Sequence, residues 1–227
     1  MWGNPKPRVC LCNSRKKAGR PSVQTTAGGR KQSTLMRRQN RDIVKGDNTV
    51  ELWDVYDESG RKTGAVKESD SPFGKGEYRL CGSLWLVNGR GELLIQKRAA
   101  AKRLCPGKWS VTGGTAKSGE NSLQACIREV KEEIGLVFEE NDLTLFLRSV
   151  GDGMIFEDYM VCCDAKVEEM TPQAEEVAQL KWATTEEIRA LHARGSFMYM
   201  EEELNKVLAH VEQNYLKKQQ AGEKAVL

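Results

Sequence analysis

The chain has 227 residues, 39% hydrophobic and 30% charged, an ordinary balance for a globular protein with a sizeable core. It contains no apolar run near the roughly 18 residues of a membrane span, and no apolar stretch follows the basic N-terminus as a secretory signal requires. The net charge of +3 conceals a division: residues 1–47 carry 12 Lys+Arg against 2 Asp+Glu, whereas 48–227 carry 23 against 30, so the basic character belongs to the tail and a nucleic-acid partner is not expected for the rest.

Residues 1–47 are rich in Arg, Lys, Ser, Gly, Gln and Thr and show no sustained period. Such a segment cannot offset its ordering entropy by burial, so a disordered basic extension is expected there. Its composition leaves an organelle or nuclear address open beside a dispensable tail, and Met36 offers an alternative start. The domain itself is expected over 48–220, with a frayed end at 221–227. Seven scattered cysteines, two of them the adjacent Cys162 and Cys163, read as free thiols of a reducing, cytoplasmic compartment. Cys10-x-Cys12 lacks histidines nearby, which argues against zinc.

From Glu51, "ELWDVYDESGRKTG" predicts a strand, a turn at Ser59-Gly60 and a return strand. Ser83–Val87 and Glu92–Lys97 flank Asn88-Gly89-Arg90-Gly91 as a hairpin. A strand through Trp109–Thr112 runs into Gly113-Gly114, and a helix follows over Ser122–Ile134, capped by Asn121 with Gln124 and stopped by Gly135. "DLTLFLRSV", "GMIFEDYMVCCDA" and "AQLKWAT" predict three more strands. Thr184 with Glu187 opens a second helix that ends at Gly195, and "MEEELNKVLAHVEQNYLKK" reads as a last amphipathic helix. The pattern predicts an α/β fold, a mixed sheet with helices on both faces.

On the first helix, at about 100° per residue, Leu123, Cys126, Ile127, Val130 and Ile134 form the core stripe. Glu129, Glu132 and Glu133 lie beside that stripe and not opposite it. Carboxylates converging at the border of a buried face repel one another unless a cation compensates, and oxygen ligands suit Mg²⁺ or Mn²⁺. A solvated acidic face explains the same glutamates by geometry alone. The wider spacing is more specific: Gly114, Glu120, Arg128-Glu129, Glu132-Glu133 and Gly135 stand as G-x5-E-x7-R-E-U-x-E-E-x-G-U, U being apolar. Chance would produce it on the order of once in a million such chains.

This motif resembles the signature of the Nudix hydrolases. The resemblance implies an α/β/α sandwich with the signature as loop–helix–loop, and hydrolysis of a nucleoside diphosphate linked to another group. It also implies that Glu129, Glu133, Glu132 and the Gly114 carbonyl hold a divalent metal. Arg128 would pair with Glu120, a structural and outer-shell residue, Gly135 would turn the chain beneath the site, and Glu129, Glu132 and Arg128 would serve catalysis. Glu157, Asp158, Glu175 and Glu176 are candidates for a base or further ligand from a later loop. Lys97, Arg98 and Arg103 are candidates to receive substrate phosphate. The partner is a nucleotide-type small molecule, and a homodimer through the N-terminal strands is compatible with the fold.

Two other readings share the scaffold. "ELWDVYDESGRKTG", "GELLIQKRA" and "PGKW" also resemble isopentenyl diphosphate isomerase, whose chemistry implies a proton-donating cysteine after the Trp-containing strand and metal-binding histidines. Here Trp109 is followed by Ser-Val-Thr-Gly-Gly, and the two histidines, His192 and His210, fall on the C-terminal helices. A catalytically silent nucleotide-binding module would carry a broken glutamate box, whereas this one is whole.

Overall fold

Period-two alternation of apolar side chains sets two faces on one sheet, and each face finds its own helices. The computed structural model describes Cys10–Leu11 and residues 50–216. The expected extension over 1–47 and the end at 221–227 therefore lie outside the described residues, apart from strand β1 (Cys10–Leu11). Strands β2 (Leu52–Tyr56) and β3 (Lys62–Glu68) form a separate antiparallel hairpin. Next come β4 (Arg79–Val87), β5 (Leu93–Arg98), β6 (Trp109–Ser110) and β7 (Thr112–Thr115), then helix α1 (Ser122–Ile134). Strand β8 (Leu136–Val137) pairs with β1. After it follow β9 (Thr144–Gly151), β10 (Met154–Cys162), β11 (Val177–Ala183), α2 (Thr185–Ala193) and α3 (Glu201–Val211), the last running into a π-turn over 212–216.

The main sheet runs β11-β5-β4-β10-β9, with β6 added to β5 and β7 to β4. Among the described strand pairings β4–β10 is the parallel one, in register from Arg79↔Met154 to Val87↔Cys162, beside an isolated parallel bridge between Trp109 and Phe197. A parallel partner cannot be reached by a tight turn, and the long connection between these strands holds β5 to β7, α1, β8 and β9. On one face Leu84, Leu86 and Leu94 meet Cys126, Val130 and Ile134 of α1. On the other, Trp85, Val87, Leu93 and Ile95 meet Ile188 of α2 and Leu204, Val207 and Leu208 of α3. This is the expected α/β/α sandwich with a mixed sheet.

A smaller cluster of Tyr56, Leu80, Ala116, Ala125 and Ile155 seats the β2–β3 hairpin against α1 and the sheet. Tyr56 and Tyr78 exchange both backbone hydrogen bonds at 2.8 Å.

Two stretches differ from the sequence expectation. The hairpin strand begins at Arg79 and not at Ser83, because β10 pairs along its whole length. The glycine pair lies within strand β7, Gly113 opposite Ser83 and Gly114 opposite Gly82. A Cβ at Gly82 would stand 2.1 Å from the Ser122 carbonyl oxygen, so this glycine is what lets α1 settle on the sheet. Among the described residues no helix is long and apolar enough to cross a membrane.

Candidate active site

Helix α1 carries the site, and its ends are fixed by local chemistry. Asn121 Oδ1 accepts from the Gln124 N–H at 2.9 Å, and Gln124 Oε1 accepts from the Asn121 N–H at 3.1 Å, a reciprocal capping box. At the other end Gly135 adopts φ 77°, a left-handed conformation that costs glycine little. The carbonyls of the last turn are met by the segment that returns before β11: Thr171 N–H donates to Ile134 O at 3.0 Å and Gln173 N–H to Glu133 O at 2.8 Å.

Arg128 is the hub of the acidic cluster. Its Nε and Nη2 grip the two oxygens of Glu120 at 2.8 and 2.9 Å, and Nη1 reaches Glu129 at 2.8 Å and Glu132 at 3.2 Å. Nη2 also donates to the Thr115 carbonyl at 3.3 Å, which ties the helix to the end of β7. Burial works against the Glu120 charge, yet the guanidinium and the Lys117 N–H hold its carboxyl below the ordinary value. Burial likewise opposes the Arg128 charge, and the surrounding carboxylates outweigh it, pushing the guanidinium pKa up. The planar fork explains why arginine, and not lysine, stands here.

The three glutamates are not equivalent. Glu132 is half exposed at 49% of its side chain, whereas Glu129 retains 17% and Glu133 is 6% exposed overall. A Cβ at Gly114 would come within 2.4 Å of Glu129 Oε1, so the glycine makes the space this carboxylate occupies. Burial raises the Glu129 pKa against the pull of Arg128. Burial, with the charges of Glu129 and Glu176, pushes Glu133 up to about 7, while Gln96 and Lys102 act in the opposite direction. Gln96 itself accepts from the Thr112 hydroxyl at 3.2 Å. Two buried carboxylates one helical turn apart with raised pKa values are a pair that favours a shared proton or a cation.

Glu176 and Lys102 form an ion pair whose charges both act on Glu133. Lys102 was not among the sequence candidates. Its place depends on the β5–β6 loop meeting the chain before β11, through the Ala99 N–H to Glu176 O bond of 2.9 Å. The neighbouring run of Lys97, Arg98 and Arg103 was the available signal. Arg98 Nε donates to the Leu104 carbonyl at 3.0 Å, and Arg103 lies on the surface 3.5 Å from Asp70, while Lys97 pairs in the sheet with Trp109.

The other candidates separate. Glu175 is exposed. Glu157 sits at the N-terminal end of α1, where it accepts from the Ser122 hydroxyl and meets Arg148 at 3.3 Å. Asp158 lies on the opposite face of the sheet, 1% exposed, and among the described residues no donor reaches either oxygen in hydrogen-bond geometry. Burial raises its pKa to about 6, tempered by the nearby Tyr199, Ser83 and Trp85. Among the described residues no three acidic, thiol or imidazole side chains converge into a ready metal cage.

Residues 78–201, which contain the whole glutamate motif, match the NUDIX domain. The chain belongs to the Nudix family. A Nudix hydrolase of Listeria monocytogenes is 34% identical over 152 residues, covering 66% of this chain and 89% of its own. An isopentenyl-diphosphate Delta-isomerase of Mycolicibacterium vanbaalenii is 28% identical over 149 residues, 63% of this chain and 82% of its own. A crystal structure from Deinococcus radiodurans shares the fold with a TM-score of 0.57 at 21% identity, covering 73% of this chain and 99% of that one. The Nudix match begins at Tyr78, so the β2–β3 hairpin lies outside it.

Proposed function

We propose that this Nudix protein is a Mg²⁺-dependent (or Mn²⁺-dependent) pyrophosphohydrolase acting on a nucleoside diphosphate linked to another moiety. The observation that carries the proposal is the buried pair Glu129 and Glu133, one turn apart on α1, with Arg128 beside one and Lys102 acting on the other.

The residues fit a hard divalent cation. Burial disfavours two neighbouring negative charges, oxygen donors suit magnesium, and Gly114 leaves room beside Glu129. When bound, such an ion supplies neutralisation of pyrophosphate oxygens and a lowered pKa for water. The chain's own residues do the rest. Glu129, Glu133 and Glu132, with the Gly114 carbonyl, would hold the ion. Arg128 fixes the direction of Glu129 and Glu132, and Glu129 takes the proton of the attacking water in this reading. Glu120 holds Arg128 in place. Lys102, released from Glu176, is positioned to meet phosphate charge beside Glu133, a role for which the sequence had offered Arg98 and Arg103.

The isomerase reading finds less support. Thr112-Gly113-Gly114 follow the Trp109 strand, His192 Nε2 lies 3.1 Å from the Tyr199 carbonyl, and His210 packs edge-on to Phe146. Both histidines are thus engaged away from the glutamates. The unbroken box argues against a silent module. A nucleotide-sized partner, a reducing cytoplasmic compartment and a homodimer through the hairpin, where Leu52 and Val66 stand half exposed, complete the proposal.

Phosphate or nucleotide release from a panel of nucleoside diphosphate derivatives with Mg²⁺ tests it. Turnover that Glu133→Gln abolishes is expected. Turnover unaffected by Glu133→Gln, or double-bond migration in isopentenyl diphosphate without hydrolysis of any panel member, would overturn it.

A further inference from the structure

The glutamates do not sit on a rigid platform by themselves. The loop ahead of α1, residues 116–121, contains Gly119 at φ 93°, a left-handed conformation with little intrinsic preference for one shape. Something must hold it, because the loop delivers Glu120 to Arg128.

The holding contacts come from hairpin β2–β3, which lies outside the Nudix match. Asp54 Oδ1 accepts from the Ser118 hydroxyl at 2.7 Å, and Oδ2 accepts from the Gly119 N–H at 3.0 Å. Lys62, across the hairpin, donates to the same Oδ2 at 2.6 Å and keeps the carboxylate aimed. Beside them the Ser118 N–H donates to the Leu52 carbonyl at 2.7 Å, and Lys117 Nζ stands 3.0 Å from Glu51. The chain of contacts then runs on: the Lys117 N–H donates to Glu120 at 2.9 Å, Glu120 accepts the two-pronged grip of Arg128, and Arg128 turns Glu129. The Asp54 side chain is itself 13% exposed, while its partners Ser118 and Gly119 stand at the surface, so the clamp works by joining three bonds on one carboxylate.

We propose that Asp54 is a positioning residue of the active site: by clamping Ser118 and Gly119 it sets Glu120, and through Arg128 it orients the carboxylate of Glu129 for the cation. The inference rests on the α1 glutamates being the metal site. It assigns the hairpin a part in the reaction, beyond covering Ala125 and Ala116. Groups that orient metal ligands from behind contribute on the order of 10- to 100-fold to metal affinity or activity, so the effect is measurable.

The test is titration of the full chain with Mn²⁺ alone, followed by the loss of the free-ion EPR signal, in wild type, Asp54→Ala, Asp54→Asn and Ser118→Ala. Melting temperature, kcat and KM are measured alongside. Asp54→Ala is expected to weaken Mn²⁺ binding about 10-fold and lower kcat similarly at near-constant KM. Asp54→Asn, which keeps one acceptor oxygen, should fall between it and wild type. Ser118→Ala, an exposed position losing one hydrogen bond, should weaken binding about threefold and cannot prevent folding. Mn²⁺ binding within twofold of wild type in folded Asp54→Ala, even with a lowered melting temperature, would reduce Asp54 to a structural bond and overturn the proposal. If Asp54→Ala fails to fold, unchanged binding by Ser118→Ala overturns it equally. Absence of Mn²⁺ binding by the wild-type chain would instead remove the metal reading, and this inference with it.

Discussion

Gln96 Nε2 donates to Glu133 Oε2 at 2.9 Å, a neutral amide supporting a carboxylate that is almost wholly buried. The bond reaches from the interior strand β5 to α1 and holds the side chain in place, yet it cannot replace the solvation lost on burial. Glu133 is therefore kept at a cost in stability above its raised pKa of about 7.

Glu133→Gln follows from that relationship. The amide can accept the same hydrogen bond without carrying charge. Because the folded pKa is raised above the ordinary value, the destabilisation is absent below about pH 4.5 and complete above about pH 7. In metal-free protein at pH 8 the variant should be more stable by about 2–3 kcal/mol, as measured by urea denaturation, while turnover falls at least about 100-fold. A variant that is both less stable and active would refute this account of Glu133.

Arg128→Lys keeps the charge and discards the fork. A single ammonium cannot span both oxygens of Glu120 while also reaching Glu129. A fall in kcat/KM of about 10- to 100-fold is expected from steady-state kinetics. Near-wild-type kinetics would show that the geometry of the guanidinium is unimportant.

The glutamate arrangement was partly legible in the sequence. The helix limits were, because Asn121, Gln124 and Gly135 act locally and need no tertiary context. So was the placement of Glu129, Glu132 and Glu133 beside the core stripe. Their unequal burial was not, since helical angle alone does not say where the sheet ends, and Glu132 lies beyond its cover. Lys102 and Glu176 are 74 positions apart and meet through pairing at the sheet edge, which no local pattern encodes. Asp158 was grouped with Glu157, although adjacent residues of a strand point to opposite faces.

Asp158→Asn tests the buried carboxylate on that other face. Its folded pKa, raised to about 6, means that the native state binds the extra proton and that stability falls as pH rises from about 4 to about 6. Asparagine should remove the Asp158 share of that slope, leave the part due to Glu133, and add roughly 3 kcal/mol at pH 7, read from melting curves across pH 4–8. An unchanged slope would place the titration elsewhere.

Gly114→Ala and Gly82→Ala separate chemistry from packing. The first methyl would meet the end of a side chain, Glu129 Oε1 at 2.4 Å, so Glu129 must turn aside. Folding should survive with a loss of about 1–3 kcal/mol while activity collapses. The second would meet the Ser122 backbone carbonyl at 2.1 Å, so α1 itself must lift from the sheet. Gly82→Ala should lower the melting temperature more than Gly114→Ala does, and the reverse order would contradict the packing described.

The parallel pairing of β4 with β10 has a temporal consequence. Strand β4 waits for β10, whose residues lie 75 positions downstream throughout the register, and α1 falls inside the intervening stretch. During synthesis the middle of the sheet stays open-sided until that late segment emerges, and contacts of such long range close slowly. The share of the bed beneath α1 that β10 supplies, Tyr159 and Ile155, is therefore missing in any nascent chain that stops short of that strand. The acidic helix can meet β4 and β7 early, but its support is complete only when the sheet is, which makes a shortened form of this domain a poor carrier of its chemistry.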